Sequence, residues 1–214
     1  MYEQLTQIIA DVEQGRFPAA DAGVTVVGQP PPRDAAVLAF TAHSVVAADV
    51  EPEWVTRVLP DGDLSAPLCP PFLGALTVRL GRRVSNIDLV CLAEPLPAGA
   101  AAESGLELQE LTGSSHPRVL RSRRHRDDVA VWGTAGGWVS VGRGLAGRYE
   151  VTVEVDENHR GLGLGRRLAA AGRALAGTER PVWAQITPGN AASVRAFLAA
   201  GYRPVGAEAL LVPE

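Results

Sequence analysis

The sequence predicts an α/β protein, and three observations carry that prediction. Segments of period-two apolar alternation take turns along the chain with segments of helical period. Val151, Val153 and Val155 alternate with Thr152 and Glu154 as a strand, which runs into Gly161, Gly163 and Gly165 and then into a helix marked by Leu164, Leu168, Ala171 and Leu175. A Pro/Ala/Gly-rich stretch over residues 94–105 separates that region from an earlier, smaller set of elements. The expected division is therefore an N-terminal α/β lobe over residues 1–93, a linker over 94–105 and a main domain over 106–214.

Composition bounds the function classes. The 214 residues are 46% hydrophobic, enough for a real core. No apolar stretch of about 18 residues is present, so no membrane partner is expected. The start, Met1-Tyr2-Glu3-Gln4, lacks the basic and apolar parts of a secretion signal, which makes a cytoplasmic location the expectation. Cys69 and Cys91 have the spacing of neither a disulfide framework nor a zinc site, so buried free thiols and no metal are expected. All 20 basic residues are arginine. Residues 1–104 are strongly acidic, whereas residues 105–214 carry a net positive charge. A basic half suits an anionic ligand, and an acidic half beside it suits a cationic amine.

Taken in order, residues 2–14 predict an amphipathic helix through Leu5, Ile8, Ile9 and Val12. Residues 23–28 read as a strand, and the three consecutive prolines within 29–34 as a loop. Residues 35–48 read as one long buried strand. Residues 52–59 form a helix opened by Pro52, with Trp54, Val55 and Val58 inward. Residues 72–83 form a helix whose last turn carries arginines, favourable against its dipole. Residues 84–92 form a strand. His43, inside the apolar run, is either a hydrogen-bonded core histidine or a substrate-lining residue.

In the main domain, residues 106–111 alternate as a strand. Residues 117–126 form a basic helix with Arg118, Arg121, Arg123, Arg124 and Arg126. Clustered arginines can neutralise phosphates, but the acidic pI of about 5.6 and the lack of interleaved aromatics argue against a nucleic-acid partner. Residues 128–132 and 137–142 make a hairpin across 133–136, and residues 148–155 the strand that feeds the glycines. After the helix come a strand over 181–187 and a second helix, for which Asn190 is a good N-cap with Ser193 three residues on. Val194, Phe197 and Leu198 mark its buried face, and Gly201 ends it.

The glycine turn carries the chemistry. A helix N-terminus offers free amide donors and partial positive charge, and glycines let an anion come close to them. The spacing is not the dinucleotide fingerprint, and without lysine the turn cannot be a Walker A loop. Arg160, Gly163 and Gly165 instead resemble the coenzyme A loop, Q/R-x-x-G-x-G/A, of the GNAT acetyltransferase superfamily. Asn190, Ser193, Phe197, Gly201 and Tyr202, in the pattern N-x-x-S-x-x-x-F-x-x-x-G-Y, are similar to that superfamily's helix beside the coenzyme. The two motifs occur in order with a strand between them and cover roughly the last half of the chain.

The resemblance implies a mixed, mostly antiparallel central sheet with flanking helices. It implies that the N-terminal lobe could be a degenerate tandem lobe. It implies acetyl-CoA as co-substrate, lying between splayed strands 149–155 and 182–187. The implied coenzyme-binding set is Val153, Val155, Arg160, Gly161, Leu162, Gly163, Leu164, Gly165, Arg166, Asn190, Ser193 and Phe197. A backbone N–H near Val155 would polarise the thioester carbonyl. The acceptor would be a small-molecule or aminoacyl amine attacking directly, with Glu150 or Glu154 as base. On a regular strand those two glutamates share a face, and a bulge would part them. Phe197 stands where many relatives place a tyrosine that protonates the departing thiolate. Tyr202 is then the remaining hydroxyl. A protein that binds acyl-CoA without catalysis, as sensor or scaffold, is the alternative, and the acidic lobe could serve as acceptor site or homodimer contact.

Overall fold

The structure is a computed structural model that describes residues 3–213 except 31–33, 98, 112, 114, 116 and 178, and omits the side chains of 102, 103, 118 and 125. Most of the proline loop's Pro-Pro-Arg and the Arg118 side chain therefore lie outside the described residues. In chain order the elements are α1 (Glu3–Glu13), β1 (Val24–Val27), β2 (Ala35–Phe40), β3 (His43–Ala47), α2 (Pro52–Val58), α3 (Pro70–Leu80), β4 (Arg82–Ala93), α4 (Ala100–Glu103), β5 (Gln109–Glu110), α5 (Pro117–His125), β6 (Asp127–Thr134), β7 (Gly137–Arg143), β8 (Tyr149–Val155), α6 (Leu164–Leu175), β9 (Val182–Ile186), α7 (Ala191–Ala199) and β10 (Arg203–Pro213). By internal contacts the chain divides into two compact units: Met1–Val90 with Val205–Glu214, and Cys91–Pro204. This partition differs from boundaries at 94–105, because the C-terminal strand is grouped with the first unit.

In the first unit the strand order is β1-β3-β2-β10-β4. β1 runs parallel to β3, while β2 is antiparallel to both β3 and β10. Val37, Val46, Val55, Phe72, Leu76 and Leu211 form its core, with Trp54 packed against them. The run 35–48 is not one strand but the hairpin β2–β3, with Phe40 paired to His43 across a two-residue turn. The turn escapes sequence reading because Ala42, at φ 51, takes the left-handed conformation that glycine or asparagine normally signals. α3 begins earlier than expected, on Pro70-Pro71, and stops at a left-handed Gly81, so Arg82 and Arg83 belong to β4. His43 is a satisfied core histidine: Nδ1 lies 2.8 Å from Asp21 Oδ1 and Nε2 2.9 Å from Thr25 Oγ1.

The second unit holds the order β9-β8-β7-β6-β5, a mostly antiparallel sheet in which only β8 and β9 run parallel. Odd-numbered residues of β7 and β8 face α6. Gly172 of that helix sits so close to the sheet that an added Cβ would come within 2.5 Å of Val151 and 3.2 Å of Val139. Even-numbered residues face the opposite way, where Ser122 of α5 meets Ser140. The stretch read as a linker contains α4 and is tied to α6: Arg173 Nε donates to the Glu94 carbonyl and Arg167 Nε to the Ser104 carbonyl. Among the described residues no helix is long and apolar enough to cross a membrane. Cys91 is buried and unpaired, and burial pushes its thiol up to about 11, so it stays protonated at neutral pH.

Candidate active site

β8 and β9 pair only at Tyr149 with Val182 and at Glu150 with Trp183. Beyond that, β8 continues to Val155 and keeps its register with β7, but loses β9 as a neighbour. The two strands splay, as the resemblance implied. The open edge of β8 from Val151 to Val155 spans about 13 Å at the usual strand rise.

At the far end of that edge, Asp156–Gly163 turns the chain into α6. Gly163 is the N-cap at φ 78, and no side chain caps the helix. The first amides of α6 are thus presented bare, with the positive end of the helix dipole behind them. Arg160 ties the loop back to the strand through Nε to the Val155 carbonyl at 3.3 Å. α7 closes the other side. Asn190 caps it by accepting from the Ser193 N–H at 3.1 Å, which leaves its amide NH2 as the group it can offer a ligand.

These elements enclose a cavity of about 560 Å³. Every predicted site residue lines it except Glu150, Leu162 and Tyr202. Sequence reasoning missed His159, Ala192, Arg195 and Ala196, which also line it. The α7 residues among them could have been found by extending the Asn190-Ser193-Phe197 face by helical neighbours. His159 carries no sequence signal; its ring packs over Gly136, where an added Cβ would approach to 2.1 Å. Arg160, Arg166 and Arg195 stand around the cavity against one carboxylate, Glu154, so its field favours an anion.

Three expectations change. Leu162 is 75% exposed at the loop tip and lines a separate depression with Trp138 and Arg167. Glu150 shares the face of Glu154, as an unbulged strand requires, yet it is only 3% exposed. Its Oε1 accepts from Arg148 Nε at 2.8 Å and its Oε2 from Arg126 Nε at 2.7 Å. Burial alone would raise its pKa, but the two guanidiniums outweigh that and hold it below the usual carboxylate range. A carboxylate so held is a poor proton acceptor, and the geometry gives Glu150 a structural task. Tyr202 is likewise turned inward. It is 3% exposed, its hydroxyl donates to the Ala169 carbonyl at 3.2 Å, and burial pushes its pKa well up. Its ring meets Phe197 edge-on at 4.9 Å. Tyr202→Phe should therefore lose about 1 kcal/mol of stability in denaturant titration and leave coenzyme affinity unchanged.

Residues 100–202, just under half of the chain, match the model of the acetyltransferase (GNAT) family. None of the curated proteins matches the chain significantly. Among solved structures, a GCN5-related N-acetyltransferase from Kribbella flavida is 19% identical with a TM-score of 0.39, the match covering 67% of this chain and 64% of that one. A conserved protein of unknown function from Staphylococcus epidermidis is 16% identical, TM-score 0.42, with 65% of each chain covered. A tandem GNAT protein from the clavulanic acid biosynthesis pathway is 18% identical, TM-score 0.37, with 67% of this chain and 58% of that one covered. The chain thus spans less than two thirds of the length of these three structures.

Proposed function

We propose that the protein is an N-acetyltransferase that moves an acetyl group from acetyl-CoA to a primary amine. The match of residues 100–202 to the GNAT family model supports acyl transfer in general. The observation that carries the finer reading is the cavity where the unpartnered edge of β8, the uncapped start of α6 and the capped start of α7 converge. Pyrophosphate fits the bare amides of α6. The pantetheine arm then runs back along β8 and takes the ladder positions that β9 leaves. In this reading the thioester lies toward Val151 and the vertex of the splay, further along β8 than the Val155 position that the resemblance implies.

The amine attacks the thioester carbonyl carbon. The C–S bond breaks as the tetrahedral intermediate collapses, and coenzyme A leaves as thiolate. Glu154, on the cavity wall about 10 Å along β8 from Val151, is the base, and a chain of waters carries the amine proton to it. Neither Phe197 nor the inward-turned Tyr202 can protonate the thiolate, so solvent does. Phe197→Tyr supplies a hydroxyl on that wall and is expected to raise turnover about tenfold without changing coenzyme affinity. Thiol release measured with a panel of amines checks this.

The absence of an acid at Phe197 favours a second reading, an acyl-CoA-binding protein without catalysis. Calorimetric titration with acetyl-CoA and with free coenzyme A, followed by an amine screen with thiol detection, separates the two. Binding with turnover supports the enzyme, and binding without turnover on any amine supports the sensor. No binding at millimolar coenzyme removes both.

A further inference from the structure

The vertex of the splay is held by side chains rather than by the ladder. Arg126, just after α5, reaches both strands there: Nε donates to Glu150 Oε2 on β8 at 2.7 Å, and Nη2 donates to Gln185 Oε1 on β9 at 3.1 Å. Gln185 stands two residues past the last paired residue of β9, where no register pair with β8 remains. Arg148 fixes the other oxygen of Glu150 and lies over the Trp183 ring, 5.0 Å from its centroid. Glu150 and Arg126 are nearly enclosed, so these charge-assisted bonds are little screened by water. The rigid planar guanidinium suits such a bridge, because its donors diverge at fixed angles.

This clasp lies on the sheet face opposite α6, since Glu150 alternates with Val151, which packs on that helix. A coenzyme entering between α6 and α7 would bring its acyl end to the vertex from one face. The acceptor must then come from the other face, where the clasp stands.

We propose that Arg126 is a positioning residue that sets the aperture between β8 and β9 and so fixes where the acyl thioester stops. The inference rests on the coenzyme reading above. A displacement of about 1 Å at the reacting carbon can cost on the order of 100-fold in rate, so a loosened vertex should register in turnover before it registers in nucleotide binding.

Two variants test it. Gln185→Ala removes only the β9 half of the clasp and keeps the Arg126–Glu150 pair. Arg126→Lys keeps the charge and loses the simultaneous reach. Each folded variant is titrated with acetyl-CoA and with adenosine 3′,5′-bisphosphate, which ends short of the vertex. The expected result is unchanged bisphosphate affinity, acetyl-CoA affinity weakened several-fold, and kcat lowered at least about tenfold on any accepted amine. Unchanged acetyl-CoA affinity in both variants, or an equal loss for both ligands, overturns the proposal. Wild-type protein that binds neither ligand overturns the coenzyme reading itself, and the proposal with it.

Discussion

Gly165→Leu is expected to abolish coenzyme binding while leaving the fold intact or slightly more stable. The glycine lies inside α6 with ordinary helical geometry, and an added Cβ would sit 3.6 Å from Ala196 Cβ and Val155 Cγ2, a normal contact. The backbone therefore tolerates a side chain. Leucine is favoured over glycine by somewhat under 1 kcal/mol in a helix interior, and by less at Gly165, the second residue of α6. The remaining leucine atoms, however, must enter the gap between β8 and α7 where the cavity lies. Calorimetry should show a loss of acetyl-CoA affinity of at least about 100-fold, equivalent to some 2.7 kcal/mol. Thermal unfolding should show no loss of Tm. Gly163→Val makes the informative contrast. At φ 78 a β-branched residue is strained, so both binding and stability should fall. Retained acetyl-CoA affinity in a folded Gly165→Leu variant would mean that the cavity is not where the coenzyme binds.

Glu150→Gln should be the most destabilising single change in the second unit. It removes the charge that two enclosed arginines share, and breaking a buried pair from one side typically costs about 3–5 kcal/mol. For a chain of this size that corresponds to a Tm lower by roughly 10 °C. The same group makes stability depend on pH. Its folded pKa lies below its unfolded value, so its contribution is fully present above the unfolded pKa and is lost as pH falls through the folded one. Acid titration of the wild type should show this loss, and Glu150→Gln should flatten it. Glu154→Gln should instead lower turnover with little change in Tm, the opposite pattern. The two glutamates stand four residues apart on one strand face, and this pair of experiments tells structural from chemical carboxylate.

That distinction was not legible in the sequence, and the reason is physical. Tyr-Glu-Val-Thr-Val-Glu-Val alternates as a half-buried strand would, so the two glutamates share a face and both read as candidate bases. Burial of Glu150 depends on Arg126, from an element 24 residues earlier, and no periodicity reports a partner at that range. The glycine turn and the cap of α7 were legible because their signals are local: glycines at a helix start, an Asn cap three residues before Ser193, a glycine closing α7. The β2–β3 turn was illegible for the converse reason, since Ala42 adopts a backbone conformation its residue type does not advertise. Tyr202 was placed correctly at the end of α7, but only the packing shows that its hydroxyl is spent on a helix carbonyl.

The tie between α6 and the stretch around 94–105 has a consequence for how that stretch is encoded. Arg167 and Arg173 hold it by the carbonyls of Glu94, Ser104 and Gly105, and Arg173 also takes the carbonyl of Ala200. A main-chain oxygen is the same whichever residue bears it. The route of this segment is therefore written in α6, on residues 60 to 80 positions away, and hardly at all in the segment's own letters. Such a tether lets the segment drift to low complexity while its path is kept. Alanine at Arg167 or Arg173 should release it to proteolysis, whereas exchanges among its own small residues should pass unnoticed.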